Sequence, residues 1–265
     1  MFSLLLAIIP TALPVSTGAQ PAPVRVALQD DEVPDKRPEV KALKEKLLAH
    51  TKKRGDEDAQ AVQIIERLTT EFKRSGPIDK KLIVTEITRA MRVKRPFSRD
   101  GSRKRQLFLV GAGALGKMAP ESLSSLIRLA TDKNHKEDYG VRCAILAALG
   151  KTKDVKAVKV LTKELDVFTA QVQAAAAEAL GQFTNLDHKK RKAIFEDLLK
   201  LLMSAQADQQ SDPSGMTSAD RWRRVSGPCQ RSMAKLSGTN AGSPNNWRRW
   251  WNKNKQRNWD KENKH

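Results

Sequence analysis

An Ala-Leu-Gly tripeptide recurs at nearly constant spacing through the middle of the sequence. Its three copies end at Gly116, Gly150 and Gly181. An apolar stretch with helical spacing precedes each copy, and a polar turn and a second apolar stretch follow it. Self-similarity with a period of about 20 to 50 residues is typical of repeat architectures, in which each unit buries its apolar face only against its neighbours. The spacing therefore predicts an all-α chain of stacked helix pairs.

The unit around Gly150 shows the pattern most clearly. Gly150 is expected to end the first helix of the unit in a left-handed conformation, and Asp154 to cap the second. In the first helix the apolar residues share one face, at spacings of three and four: Val141, Ala144, Ile145, Ala148 and Leu149. The second helix has an equivalent stripe: Val155, Val158, Leu161 and Leu165.

Residues 140–165 resemble the HEAT repeat, especially the short HEAT-like repeats of bacteria and of phycobilin lyases. The resemblance rests on the Val141-Arg142 start, the Ala-Leu-Gly end and the apolar helix that follows. It is specific over residues 105–203 and weaker over 57–95, and Gln173 stands where the family often has Arg. The resemblance implies a right-handed α-solenoid that binds partners through its surface, and it implies no catalytic residue.

Five segments are predicted along the chain. Residues 1–19 indicate a signal peptide, because an apolar, uncharged run precedes the small residues Thr17 and Ala19, although no Lys or Arg precedes Arg25. The run is too short to span a bilayer, so the mature chain is expected to be exported to the periplasm or beyond, without a transmembrane segment. Residues 20–38 hold four prolines and indicate a disordered linker. HEAT-like repeats over 39–203, a polar loop over 204–218 and a terminal helical unit with a basic, Trp-rich cap and tail over 219–265 follow.

All five tryptophans lie after residue 220. Trp247, Trp250 and Trp251 have helical spacing, which predicts a structural cap over the open end of the last repeat. The segment 236–251 resembles a closing motif of many bacterial HEAT proteins, in which a turn leads into a Trp-x-x-Trp-Trp helix. Ser243 or Asn245 is the expected cap of that helix. The alternative is a platform of exposed indoles that stacks bases or meets an anionic lipid surface.

The formal net charge of +19 favours polyanionic partners, unless it only solvates the surface. Two basic clusters are candidates for binding a partner or an anion. The first is centred on a predicted loop that holds Pro96 and Gly101, and it contains Arg92, Lys94, Arg95, Arg103, Lys104 and Arg105. The second lies in the tail and contains Arg248, Arg249 and Lys253.

No motif for catalysis stands out. The string Gly111–Gly116 fits GxGxxG but lies inside an Ala-rich helical repeat, where glycine serves close helix packing better than dinucleotide binding. Cys143 and Cys229 lack metal-ligand spacing, Cys143 is expected to be buried, and a disulfide between them stays open. The histidines lie in polar turns or at the terminus and are expected at the surface. We therefore expect neither a cofactor nor a metal.

Three hypotheses follow for function. The leading one is an exported, non-enzymatic scaffold that binds a protein partner through the solenoid surface. The alternative is a polyanion binder, with nucleic acid or an anionic envelope surface as the ligand and the basic clusters as its site. The least favoured is a HEAT-fold enzyme such as a DNA glycosylase or a pigment lyase, since the tryptophans lie in the terminal segment and a fold does not fix a function.

Overall fold

The computed structural model describes residues 34–96 and 104–262, with side chains through residue 260. Within these ranges every regular element is a helix, which confirms the all-α class. The predicted signal peptide, residues 20–33 of the predicted linker and Arg103 lie outside the described residues. At the end of that linker, the backbone N–H groups of Lys36 and Arg37 donate to the carboxylate of Asp79.

The helices are joined by short turns, apart from the longer connection that includes residues 97–103. A 3-10 turn, Lys133–His135, lies between the fifth and sixth helices. In chain order the helices are α1 (Pro38–Lys52), α2 (Asp58–Phe72), α3 (Pro77–Arg92), α4 (Gln106–Gly116), α5 (Leu123–Ala130), α6 (Tyr139–Thr152), α7 (Val155–Lys163), α8 (Ala170–Leu180), α9 (His188–Ser211), α10 (Met216–Ser237), α11 (Pro244–Asn254) and α12 (Trp259–Glu262).

Neighbouring helices pack in two rows. In the first row α2, α4, α6, α8 and α10 each contact the next helix, and in the second row α3, α5, α7 and α9 do the same. Helix α1 packs on α2 and α3, and α11 packs on α9. The apolar stripes of both rows face one continuous core, in which Leu115, Ile145, Leu149, Leu180 and Leu198 are fully buried. Val155 is an exception to its predicted stripe, because it is the first residue of α7 and is 43% exposed. Each unit therefore buries its apolar face against its neighbours.

The glycines of the Ala-Leu-Gly tripeptides allow these close contacts. A Cβ added at Gly150 would lie 2.9 Å from the Cα of Ala179, the alanine of the next tripeptide. A Cβ added at Gly116 would lie 3.1 Å from the Cβ of Ala148 in the same way. The predicted left-handed end of the helix at Gly150 is wrong, because α6 continues past it and Lys153 takes that conformation instead (φ 51°). Asp154 caps α7 as predicted, accepting a 2.8 Å hydrogen bond from the backbone N–H of Lys156.

The polar segment 204–218 is mostly helical, which corrects the predicted loop. Helix α9 runs through Ser211 and α10 starts at Met216, so only residues 212–215 connect them. The last turns of α9 are rich in Ala and Gln, which favour helix, while their polar character reflects exposure. Ala205 anchors this stretch because its side chain is fully buried.

Candidate functional site

The first basic region comprises the described residues Arg92, Lys94, Arg95, Lys104 and Arg105. Besides Arg95, which is described below, three of them lie beside carboxylates. Arg92 Nε lies 2.9 Å from Asp132 Oδ2, and Arg105 Nε lies 2.9 Å from Asp138 Oδ1. Lys104 Nζ lies 3.6 Å from Asp56 Oδ1 and donates to the carbonyl of Gly55. Lys94 is exposed.

Arg95 is a buried structural residue, which corrects its assignment as an anion-binding candidate. Its side chain is fully buried, and its Nη2 lies 2.9 Å from Asp58 Oδ1 at the start of α2. Its guanidinium also lies 5.5 Å from the centre of the Phe108 ring. The pair joins the segment after α3 to α2 and α4, and a buried guanidinium with these partners is not available to an external anion.

The carboxylates that pair with Arg92 and Arg105 also hold the turn before α6. Asp132 accepts from the backbone N–H of Asn134, and Asp138 accepts from that of Val141 at the start of α6. Burial raises the pKa of Asp132, but the hydrogen bonds from Asn134 and Arg92 outweigh this effect and keep the pKa below its usual value. The two arginines therefore stabilise a turn as well as contributing surface charge.

The terminal indoles pack inward around Phe195 of α9. Trp247 is fully buried, Trp259 is nearly so, and Trp250 and Trp251 are half-buried. Their four ring centres lie 5.1 to 5.6 Å from that of Phe195. Most of the indole surface thus belongs to the core rather than to an exposed platform.

Ser243 is the cap of α11, as one of the two predicted candidates. Its Oγ accepts a 3.3 Å hydrogen bond from the backbone N–H of Asn246, and Pro244 occupies the first helical turn. This start orients α11 so that its tryptophans face α9.

The opposite side of α11 is the second basic region, called here the α11 basic face and defined by Arg248, Arg249 and Lys253 together with Lys255, the C-cap residue directly after the helix. All four side chains are exposed. Arg249 donates to Asn246 Oδ1, but none of the four forms an ion pair within the part of the chain that the structure describes. The nearby Asp260 already pairs with Arg191 and His188.

A groove of about 820 Å³ lies between the α7–α8 turn and the α9–α10 turn. Phe168 is 92% exposed and Met216 is 89% exposed, and both line it. Four carboxylates also line it: Asp166, Asp208, Asp212 and Asp220. Asp208 pairs with Arg221, and Asp220 pairs with Arg223 and Arg224, whereas Asp166 and Asp212 form no ion pair among the described residues.

Sequence reasoning missed this apolar and acidic groove, since it follows no motif. The available signal was weak: Phe168 and Met216 are large apolar residues that fall outside the helical stripes of α7 and α9. Burial had to be known before either could be recognised as unusual.

A second groove, of about 710 Å³, lies between α3 and α5 and is lined by basic and hydroxyl side chains. Most of its cations are already paired. Lys80 lies 3.7 Å from Glu121, Arg89 lies 3.0 Å from Glu86, and Arg92 pairs with Asp132. Its surplus charge is therefore smaller than its composition indicates.

Both cysteines are free thiols. Burial raises the pKa of Cys143 to about 11 and that of Cys229 to about 12, so neither is an activated nucleophile. Cys143 is only partly buried, against the expectation. His135 is buried where a surface position was expected, with its ring 5.2 Å from that of Phe108.

Among the described residues no cluster of three or more His, Cys, Asp or Glu side chains is placed to hold a metal ion. None of the described helices combines the length and apolar character that crossing a membrane requires. Comparison with known proteins gives no match to a family model, to a curated protein or to a solved structure. The fold thus defines the class, an all-helical protein in which neighbouring helices pack on one another.

Proposed function

We propose that this protein is an exported, non-enzymatic scaffold with a HEAT-like solenoid fold, which binds a protein partner through the surface of its helix stack. The observation that supports binding is the exposed pair Phe168 and Met216 beside the groove at the α7–α8 and α9–α10 turns. Large apolar side chains that stay exposed together around a concavity are typical of interaction sites, because water contact with them is unfavourable.

The charge of the groove indicates the chemistry of the partner. Asp166 and Asp212 add unpaired negative charge to a chain with a formal net charge of +19. A partner segment with a large apolar side chain flanked by Lys or Arg would complement both features. The groove would also repel segments that are acidic.

The solenoid assignment is supported by the two rows of contacts and by the Gly116–Ala148 and Gly150–Ala179 contacts, which repeat from one unit to the next. A stack of this type presents long surfaces to a partner. Export rests on the apolar pattern of residues 1–19 alone.

Affinity capture with the full chain tests the groove. The exported fraction of the source cell is passed over wild type, over a Phe168→Ser/Met216→Ser variant, and over an Ile78→Ser control. Ile78 is a large apolar residue that is 53% exposed away from the groove. We expect a protein that wild type and the control retain and that the double variant loses. Equal retention by all three, or repeated failure to retain any protein, would count against the proposal.

Amino-terminal sequencing of the native protein, with fractionation of the same cells, tests export. A start near Gln20 in an exported fraction is the expected result. An intact Met1 in the cytoplasmic fraction would remove the export part of the proposal.

A further inference from the structure

Helix α11 separates its indoles from its cations. At 100° per residue Trp247, Trp250 and Trp251 fall on one side, which the structure buries against α9. The other side of the helix is exposed and polar, with Arg248, Arg249, Asn252 and Lys253, and the exposed Lys255 and Gln256 follow in the turn directly after the helix. The apolar side is thus used for folding, and the polar side remains for a ligand.

The four cations of the α11 basic face lie within about two helical turns of one another. They form no ion pair among the described residues, in contrast to Arg92, Arg95 and Arg105. Like charges at this spacing repel one another, and a polyanion that approaches them releases its own counterions. The face therefore favours a partner with closely spaced negative charges.

The position of the indoles discriminates among polyanions. Single-stranded nucleic acids gain affinity from bases that stack on exposed aromatic rings, but Trp247 and Trp259 are buried and Trp250 and Trp251 are packed on Phe195. Amphipathic helices bind bilayers by inserting an apolar face, and the apolar face of α11 is already occupied. A ligand that presents phosphates without requiring stacking or insertion fits best.

The remaining polar side chains point to the same ligand. Asn252 and Gln256 are exposed between the cations. Asn and Gln amides match the edge of adenine and Arg matches guanine or phosphate, and the major groove of B-form DNA, about 12 Å wide, admits a helix. The major groove of duplex RNA is too narrow to be read in this way. We infer that the α11 basic face docks on duplex DNA, with its cations on the phosphates and its amides toward the major groove. This inference does not depend on the proposed scaffold function, and for an exported chain the ligand is extracellular duplex DNA.

Fluorescence anisotropy of a labelled 20-base-pair DNA duplex tests the inference with the full chain. One variant replaces Arg248, Arg249, Lys253 and Lys255 with Gln. A matched control replaces Lys151, Lys156, Lys159 and Lys163 with Gln, which removes the same charge from exposed positions on α6 and α7. We expect the face variant to bind at least tenfold more weakly, and the control to change by less than about threefold. The slope of log affinity against log salt should fall by about three to four in the face variant only.

Three results would overturn the inference. Equal weakening in both variants would mean that net charge alone drives binding. Tighter binding of a single strand of the same length would identify another ligand. Binding to vesicles with one-third phosphatidylglycerol would also identify another ligand, if it were tighter than binding to the duplex and if the face variant abolished the vesicle binding.

Thermal unfolding by circular dichroism should give the same midpoint for wild type and both variants. If the face variant unfolds at a lower temperature than the wild type, the single variants Arg249→Gln and Lys253→Gln are used in its place in the binding experiment. Each should lower the salt slope by about 0.9, and no change in slope for either would contradict the inference.

Discussion

Two basic regions with similar residue types differ in their ion pairs in this structure. The region around Arg92 to Arg105 is paired with carboxylates, because it lies against the start of α2 and the turn before α6, which supply Asp58, Asp132 and Asp138. The α11 basic face has no carboxylate partner among the described residues, and the inner side of α11 packs on Phe195 of α9 and on Trp259. Cations beside other helix ends stabilise the fold through ion pairs, whereas the cations of the α11 basic face form no ion pair among the described residues.

The largest expected contrast is between Arg95 and Arg248. Arg95→Met leaves Asp58 buried without its partner, so the free energy of unfolding should fall by about 3 to 5 kcal/mol. Arg248→Met changes an exposed side chain and should alter it by less than about 0.5 kcal/mol. Urea unfolding followed by circular dichroism measures both values.

A double variant sharpens this test. Replacing the pair with Asp58→Leu and Arg95→Met should recover most of the lost stability, since an apolar pair of similar volume avoids the cost of desolvating two charges. If Arg95→Met proved as harmless as Arg248→Met, the contrast between the two regions would be wrong.

On the terminal side, stability should depend on the indoles and not on the cations. Trp247→Ala removes a fully buried side chain that contacts Phe195 and Trp250, so we expect a loss of about 3 to 5 kcal/mol in unfolding free energy. Urea unfolding of this variant is compared with that of the four-residue Gln variant of the α11 basic face. The assignment of the indoles as a structural cap would be contradicted if Trp247→Ala lowered the free energy of unfolding by less than about 1 kcal/mol, or if the Gln variant lowered it by the same amount as Trp247→Ala.

Thiol labelling locates the effect of Trp247→Ala. The pKa values of about 11 for Cys143 and about 12 for Cys229, both raised by burial, keep the two thiols protonated at pH 8. Alkylation by iodoacetamide should therefore be slow in the wild type and accelerate only toward pH 11. Local opening of the terminal unit in the variant should speed labelling of Cys229 on α10 by more than about tenfold, with Cys143 on α6 little changed. Equal acceleration of alkylation at Cys143 and Cys229 would show that the variant unfolds globally instead.

Local periodicity predicted the helices and the packing role of small residues, because an apolar stripe and an Ala-Leu-Gly end are contained within one unit. It failed where the partner is distant in sequence. Asp58 and Arg95 are 37 positions apart in sequence, so local periodicity could not predict their buried ion pair. It also could not predict that Gly150 is required by its contact with Ala179 in the next unit. The indoles were predicted as a cap from helical spacing, but only the structure shows that they surround Phe195.

The smallest expected effect concerns Arg105, which flanks the same connection as Arg95 but is about half exposed. Arg105→Gln removes an ion pair to Asp138 while the carboxylate still caps α6, so we expect a loss of at most about 1 kcal/mol. Asp138→Ala removes both the pair and the cap and should cost about 1 to 2 kcal/mol. Urea unfolding in low and high salt separates the contribution of the ion pair from that of the helix cap. High salt should abolish the loss caused by Arg105→Gln, and it should leave the loss caused by removing the cap. A salt-independent loss at Arg105 would mean that it acts by packing, as Arg95 does, and that burial does not decide which cations of this region are structural.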